Sequence, residues 1–75
     1  MDHKTRQIFE DLKWARENHS LLSQKYEGKW IGIYKGEVMG TLRKLDELEK
    51  RGELPVPKNE IAKYFVIPFN AYYYS

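Results

Sequence analysis

Residues 25–40, Lys25-Tyr26-Glu27-Gly28-Lys29-Trp30-Ile31-Gly32-Ile33-Tyr34-Lys35-Gly36-Glu37-Val38-Met39-Gly40, decide the fold. They read as the end of a helix, a turn, a strand, a tight turn and a second strand. Tyr26 closes a helical stripe, and Gly28 stands where a left-handed residue ends a helix. Trp30, Ile31, Ile33 and Tyr34 have the aromatic and β-branched character of a strand. Lys35-Gly36 suits a type I′ turn, with Gly in second place. Counting outward from that turn pairs Tyr34 with Glu37, Ile33 with Val38, Gly32 with Met39 and Ile31 with Gly40. Side chains alternate along a strand. One face of the hairpin therefore carries Ile31, Ile33 and Val38, and the other Trp30, Tyr34 and Met39 around a gap at Gly32. The second face is either covered in part by the rest of the chain or a binding surface. The first reading is the plainer, because scattered surface apolar groups are ordinary.

Upstream lies one helical pattern, with Asp2 or Thr5 as its N-cap. Ile8, Leu12, Ala15, Leu22 and Tyr26 fall at helical spacing on one face, with His19 on the same stripe and Phe9 at its edge. Trp14 and Leu21 lie off that face and form a second, smaller apolar patch. Asn18-His19-Ser20 is a run of weak helix formers. A break is expected there, with Ser20 capping a short second helix and Trp14 and Leu21 turned in different directions. His19 has no Cys or second His at ligand spacing, and sequence alone sets no nucleophile beside it. A partly buried structural histidine is the simpler reading.

Downstream, Thr41 is an N-cap before Leu42-Arg43-Lys44-Leu45-Asp46-Glu47-Leu48-Glu49-Lys50-Arg51. Leu42, Leu45 and Leu48 make a narrow stripe. Gly52 at C′ and Leu54 at C″ predict a Schellman ending. Arg43–Glu47, Asp46–Lys50 and Glu47–Arg51 are opposite charges at i,i+4, on a solvated face. Gly40-Thr41 carries no Walker-type or dinucleotide-binding glycine pattern around it. Pro55 and Pro57 make residues 54–59 an extended connector. Residues 61–69 read as a third strand, ended or kept to a sheet edge by Pro68. Tyr72, Tyr73 and Tyr74 follow as an aromatic tail, suited to covering that edge or meeting a partner.

The Lys25-Tyr26-x-Gly28-Lys29-Trp30 joint, an apolar strand, a Lys-Gly turn and a second short strand resemble a small prokaryotic domain family of unknown function. The matching residues are Leu22, Tyr26, Gly28, Lys29, Trp30, Ile31, Ile33, Gly36 and Val38, with Trp14 and Asn18 upstream. The likeness spans residues 14–66. Lys35 stands where Asp or Asn is usual, Gly40 also departs from the pattern, and the tyrosine tail is an extension. The resemblance implies the fold and carries no activity or functional residue with it.

The 75 residues make one small domain, 1–75, with 1–4 and 70–75 as flexible or partner-contacting ends. So short a chain buries only about 60–65% of its unfolded surface. The expected fold is α+β: N-terminal helix, β-hairpin, second helix and third strand (α-β-β-α-β). The small three-stranded sheet, ordered 2-1-3, packs on helices. There is no cysteine, which excludes disulfides and thiolate metal sites and fits the cytoplasm. No apolar run is long enough to span a membrane, and Met1-Asp2-His3-Lys4-Thr5-Arg6 is not followed by a signal-peptide core. Neither a cofactor nor a metal is expected, and no catalytic residues are assigned.

Three function classes follow. The first is a protein-interaction or accessory module, self-associating as a dimer or docking on another protein. Its partner-binding candidates are Trp14, Leu21, Trp30, Tyr34, Tyr72, Tyr73 and Tyr74. The second is a single-stranded nucleic-acid-binding protein. Lys25, Lys29, Lys35, Lys58 and Lys63 interleave with Trp30, Tyr34, Tyr64 and Tyr72, a basic and aromatic mixture. Eleven acidic residues and a formal charge of +2 weigh against it. The third, an enzyme, ranks last for want of a nucleophile–base spacing. Trp30 itself is expected to be a core or half-buried anchor at the helix–hairpin joint.

Overall fold

A computed structural model describes residues 2–68. Helices α1 (His3–Glu17) and α2 (His19–Tyr26) precede strands β1 (Trp30–Tyr34) and β2 (Glu37–Thr41); helix α3 (Leu42–Lys50), a 3-10 turn (Lys58–Glu60) and strand β3 (Ala62–Phe65) follow. The architecture is the α+β fold expected, with one helix more because the first is broken. Residues 69–75, with Phe69 and the tyrosines Tyr72, Tyr73 and Tyr74, lie outside the described residues.

The break occurs at Asn18 rather than at Ser20, which lies inside α2. The Asn18 backbone N–H is shared between the carbonyls of Trp14 and Ala15, at 3.0 and 3.2 Å. Its side-chain amide also donates to the Trp14 carbonyl, at 2.9 Å. Asn18 thus satisfies the end of α1, as a short amide side chain readily does. Its own carbonyl accepts from Leu22 N–H at 3.0 Å and starts α2. At the other end of α1, Asp2 is the N-cap, its side chain accepting from Thr5 N–H at 2.8 Å.

The sheet order is β2-β1-β3, with both neighbours antiparallel to β1. Lys35 and Gly36 both have positive φ, 50° and 72°, as a type I′ turn demands. Tyr34 pairs with Glu37 and Ile33 with Val38, as counting from the turn requires. The count then fails: Gly32 pairs with Gly40 and Ile31 with Thr41. Met39 is an extra residue in β2, a bulge. Gly40 follows it at φ +134°, a conformation side-chain-bearing residues rarely adopt.

The sheet is covered on both faces. Ile31 and Ile33 pack with Ala15, Leu22, Ala62 and Val66 in the main core, flanked by Ile8, Leu12, Trp14, Tyr26, Val38 and Tyr64. The opposite face belongs to α3. A Cβ at Gly32 would lie 2.4 Å from Leu45 Cδ1 and 3.0 Å from Ile61 Cγ2. Leu45 and Ile61 are both buried, so the gap at Gly32 is the seat of α3.

The ends of α3 are set by local chemistry. Thr41 Oγ1 accepts from Lys44 N–H at 3.3 Å. Gly52 N–H reaches the Glu49 carbonyl at 3.0 Å, and Glu53 N–H reaches Leu48 at 2.8 Å. That is the Schellman pattern, with Glu53 rather than Leu54 at C″. The three i,i+4 pairs expected on α3 do not form. Asp46 and Glu49 instead meet Lys58, from the 3-10 turn. The third strand is shorter than expected, ending three residues before Pro68.

Candidate interaction surfaces

Among the described residues the best-buried charged side chain is that of Asp11, 2% exposed on α1. Its two carboxylate oxygens accept the backbone N–H groups of Lys35 and Gly36, each at 3.0 Å. Gln7 Nε2 donates to the same carboxylate at 3.2 Å. A tight turn normally leaves such donors to solvent. Here a helix side chain takes both, through charge-assisted bonds. Sequence reading passed over Asp11, yet it left a signal: Asp11 sits between Ile8 and Ala15 on the apolar stripe. A charged group on a buried face is the informative exception.

This clasp sets the position of Trp14, three residues further along α1. A Cβ at Gly36 would stand 3.8 Å from the Trp14 ring. The turn therefore forms one wall beside the half-buried indole. Trp14, Leu21, Leu22, Gln24, Lys25, Tyr26 and Val38 line a groove of about 240 Å³ there. Leu21 stands at its lip, 60% exposed. The break at Asn18 was expected to turn Trp14 and Leu21 apart. It brings them to one groove instead, because α2 restarts immediately and keeps Leu21 on the side that Trp14 occupies. The Trp14 indole N–H has no hydrogen-bond partner among the described residues and is not sealed from solvent.

Trp30 lies at the other end of the hairpin. It is 51% exposed, a half-covered residue of the sheet's rim rather than a core anchor. Its ring leans on Phe65, its partner in register, with centroids 5.5 Å apart and planes tilted by 54°. Lys29, Trp30, Thr41, Leu42 and Arg43 line a second concavity of about 400 Å³. The Lys29 backbone is fixed: its N–H donates to the Tyr26 carbonyl at 3.0 Å, and its carbonyl accepts from Val66 at 2.9 Å. Neither Lys29 nor Arg43 forms an ion pair among the described residues. Arg43 also sits in the first turn of α3, where the helix dipole disfavours a cation and no acidic residue offsets it.

Other candidates are held internally. His19 Nε2 lies 3.2 Å from the Ile67 carbonyl, which can only accept, so Nε2 carries the proton. Nδ1 lies 2.8 Å from the Tyr64 hydroxyl, within hydrogen-bond reach. His19 therefore tethers α2 to the segment leaving β3. Tyr34 is half-buried, with the Lys35 ammonium 5.4 Å from its ring centroid. Lys63 donates to the carbonyls of Lys58 and Ile61, at 2.8 and 3.2 Å, so two lysines of the basic set, Lys58 and Lys63, are engaged within the chain. The Asp46–Lys58 hydrogen bond holds the Asp46 carboxyl below the usual range and raises the Lys58 ammonium. Asp2 is lowered by the Thr5 backbone N–H it caps.

Among the described residues, no group of three His, Asp or Glu side chains is arranged to hold a metal ion. No described helix is long and apolar enough to cross a membrane. Comparison of the chain with family models, curated proteins and solved structures finds no match.

Proposed function

We propose that the protein is a small cytoplasmic interaction module that seats a bulky apolar side chain of a protein partner in the Trp14–Leu21 groove. The observation that carries this is the groove's construction. An amphipathic ring whose N–H donor has no partner among the described residues shares an apolar groove with an exposed leucine. Tryptophan in such a setting is a frequent interface anchor, dry on one side and hydrogen-bonding on the other. Lys25 on the rim has no carboxylate partner among the described residues. The fitting partner is a short segment with an aromatic or aliphatic side chain next to an acidic one.

Selection of random peptides on the folded protein tests this. The expected peptides share an apolar anchor with a nearby Asp or Glu. Their binding should fall at least tenfold in Leu21→Asp and persist in Phe9→Asp, an equally exposed apolar site elsewhere. Peptides insensitive to Leu21→Asp, or none selected at all, would contradict the reading. Solution mass distinguishes self-association: a dimer that Leu21→Asp converts to monomer makes a second copy the occupant.

A further inference from the structure

We infer that the Trp30 concavity is a binding site for single-stranded nucleic acid, in which a base stacks on the exposed indole and Lys29 and Arg43 meet the flanking phosphates. This site stands apart from the Trp14 groove and does not depend on it.

Its lining supplies the two things a polynucleotide strand needs. One is a π-face. Trp30 shows half of its surface to solvent while Phe65 braces the ring from within the sheet. Stacking on such a face is sequence-tolerant, because every base has one. The other is positive charge without competition. Lys29 and Arg43 line the concavity with the indole, and no carboxylate lines it among the described residues. Both cations are without ion-pair partners among the described residues. Lys58, by contrast, is neutralised by Asp46 and Glu49. The volume of about 400 Å³ falls within the range of small-ligand sites, roughly 300–1,000 Å³.

The supports are stiff. Lys29 is held at both backbone groups, by Tyr26 and Val66. Arg43 rides on α3, which is capped by Thr41 and anchored by buried Leu45. The backbone of the site is therefore preformed, and binding orders the strand and the two cationic side chains. With a formal charge of only +2, the whole molecule adds little attraction. Binding should be local, in the range of about 10⁻⁴–10⁻⁶ M, and strongly salt-dependent.

Fluorescence anisotropy of a labelled oligothymidylate or oligouridylate of about ten nucleotides, titrated with the wild-type protein at low salt, reads the binding. In a Trp14→Phe background, quenching reports on Trp30 alone. The expected result is saturable binding with Trp30 quenching. Trp30→Ala should weaken it about tenfold. Lys29→Gln and Arg43→Gln should each weaken it several-fold and reduce the slope of log affinity against log salt by about 0.7. Circular dichroism checks that each variant stays folded. No binding at low salt overturns the inference, as does binding that all three variants leave unchanged. An abasic oligonucleotide of equal length that binds as tightly would also overturn it, since contact would then be with phosphate alone.

Discussion

The two ends of the β1–β2 hairpin are built on opposite plans. At the closed end, the polar groups are consumed inside the molecule. The Lys35 and Gly36 N–H groups go to Asp11, which is nearly inaccessible. At the open end, the backbone bonds of Gly28, Lys29 and Val66 close on one another, and the side chains of Lys29 and Trp30 are left facing outward. The closed end puts its chemistry into holding α1 against the sheet. The open end holds only its main chain and keeps its side chains available. The comparison shows where to look for function in a domain this small: at side chains whose backbone is fixed but whose own groups are not used.

The largest effect is expected from breaking the closed end. Asp11→Ala strands two turn donors that were paired with a buried carboxylate, and should cost roughly 2–4 kcal/mol in urea unfolding. The same variant should loosen the Trp14 groove and weaken peptide binding there, while leaving the Trp30 site untouched. A cost near zero would mean that water replaces the carboxylate freely.

Gly32→Ala probes the middle of the hairpin, where α3 approaches. The added methyl meets Leu45 and Ile61, which are buried and have little room to yield. Overpacking of this kind costs about 1–3 kcal/mol. A neutral or stabilising result by thermal or urea unfolding would place α3 further from β1 than described.

Acid provides the mildest perturbation, and it should leave both hairpin ends in place at first. Asp2 and Asp46 have folded-state pKa values below the usual aspartate range. Their contributions are present in full above that range and are lost as pH falls through the lowered values. Lys58 is raised, so its contribution persists at neutral pH and disappears only as pH rises through its folded value. Both groups of the Asp46–Lys58 pair are solvent-exposed and the pair is screened, so the expected change is a shallow fall in unfolding midpoint in strong acid. A sharp loss of stability already near pH 6 would point to a different titrating group.

Much of this plan was legible in the sequence, and the exceptions have physical causes. Aromatic and β-branched residues beside Lys35-Gly36 announced the hairpin, and Thr41 and Gly52 announced the ends of α3, because strand composition, turns and caps are local chemistry. The bulge at Met39 was missed, though Gly40 inside a strand marked it; equal counting from the turn assumes a ladder without insertions. Asp46 was given Lys50 as its partner within α3, whereas Lys58 from a later turn takes it together with Glu49, since i,i+4 pairs are too weak to compete with better-placed tertiary charges. The Trp14–Leu21 groove depends on how two helices meet at Asn18, and a periodicity cannot give that angle. Asp11 was invisible as a clasp because its partners are backbone groups, which carry no sequence signature of their own.

The most direct test of the clasp is native-state amide exchange at Lys35 and Gly36, compared between the wild type and Asp11→Ala. Protection at both amides approaching that of core β1 is expected in the wild type, with a fall of tenfold or more in the variant while β1 amides keep their rank above the turn. If the two turn amides of the wild type already exchange as fast as an open loop, Asp11 does not hold the closed end and the contrast between the two ends fails.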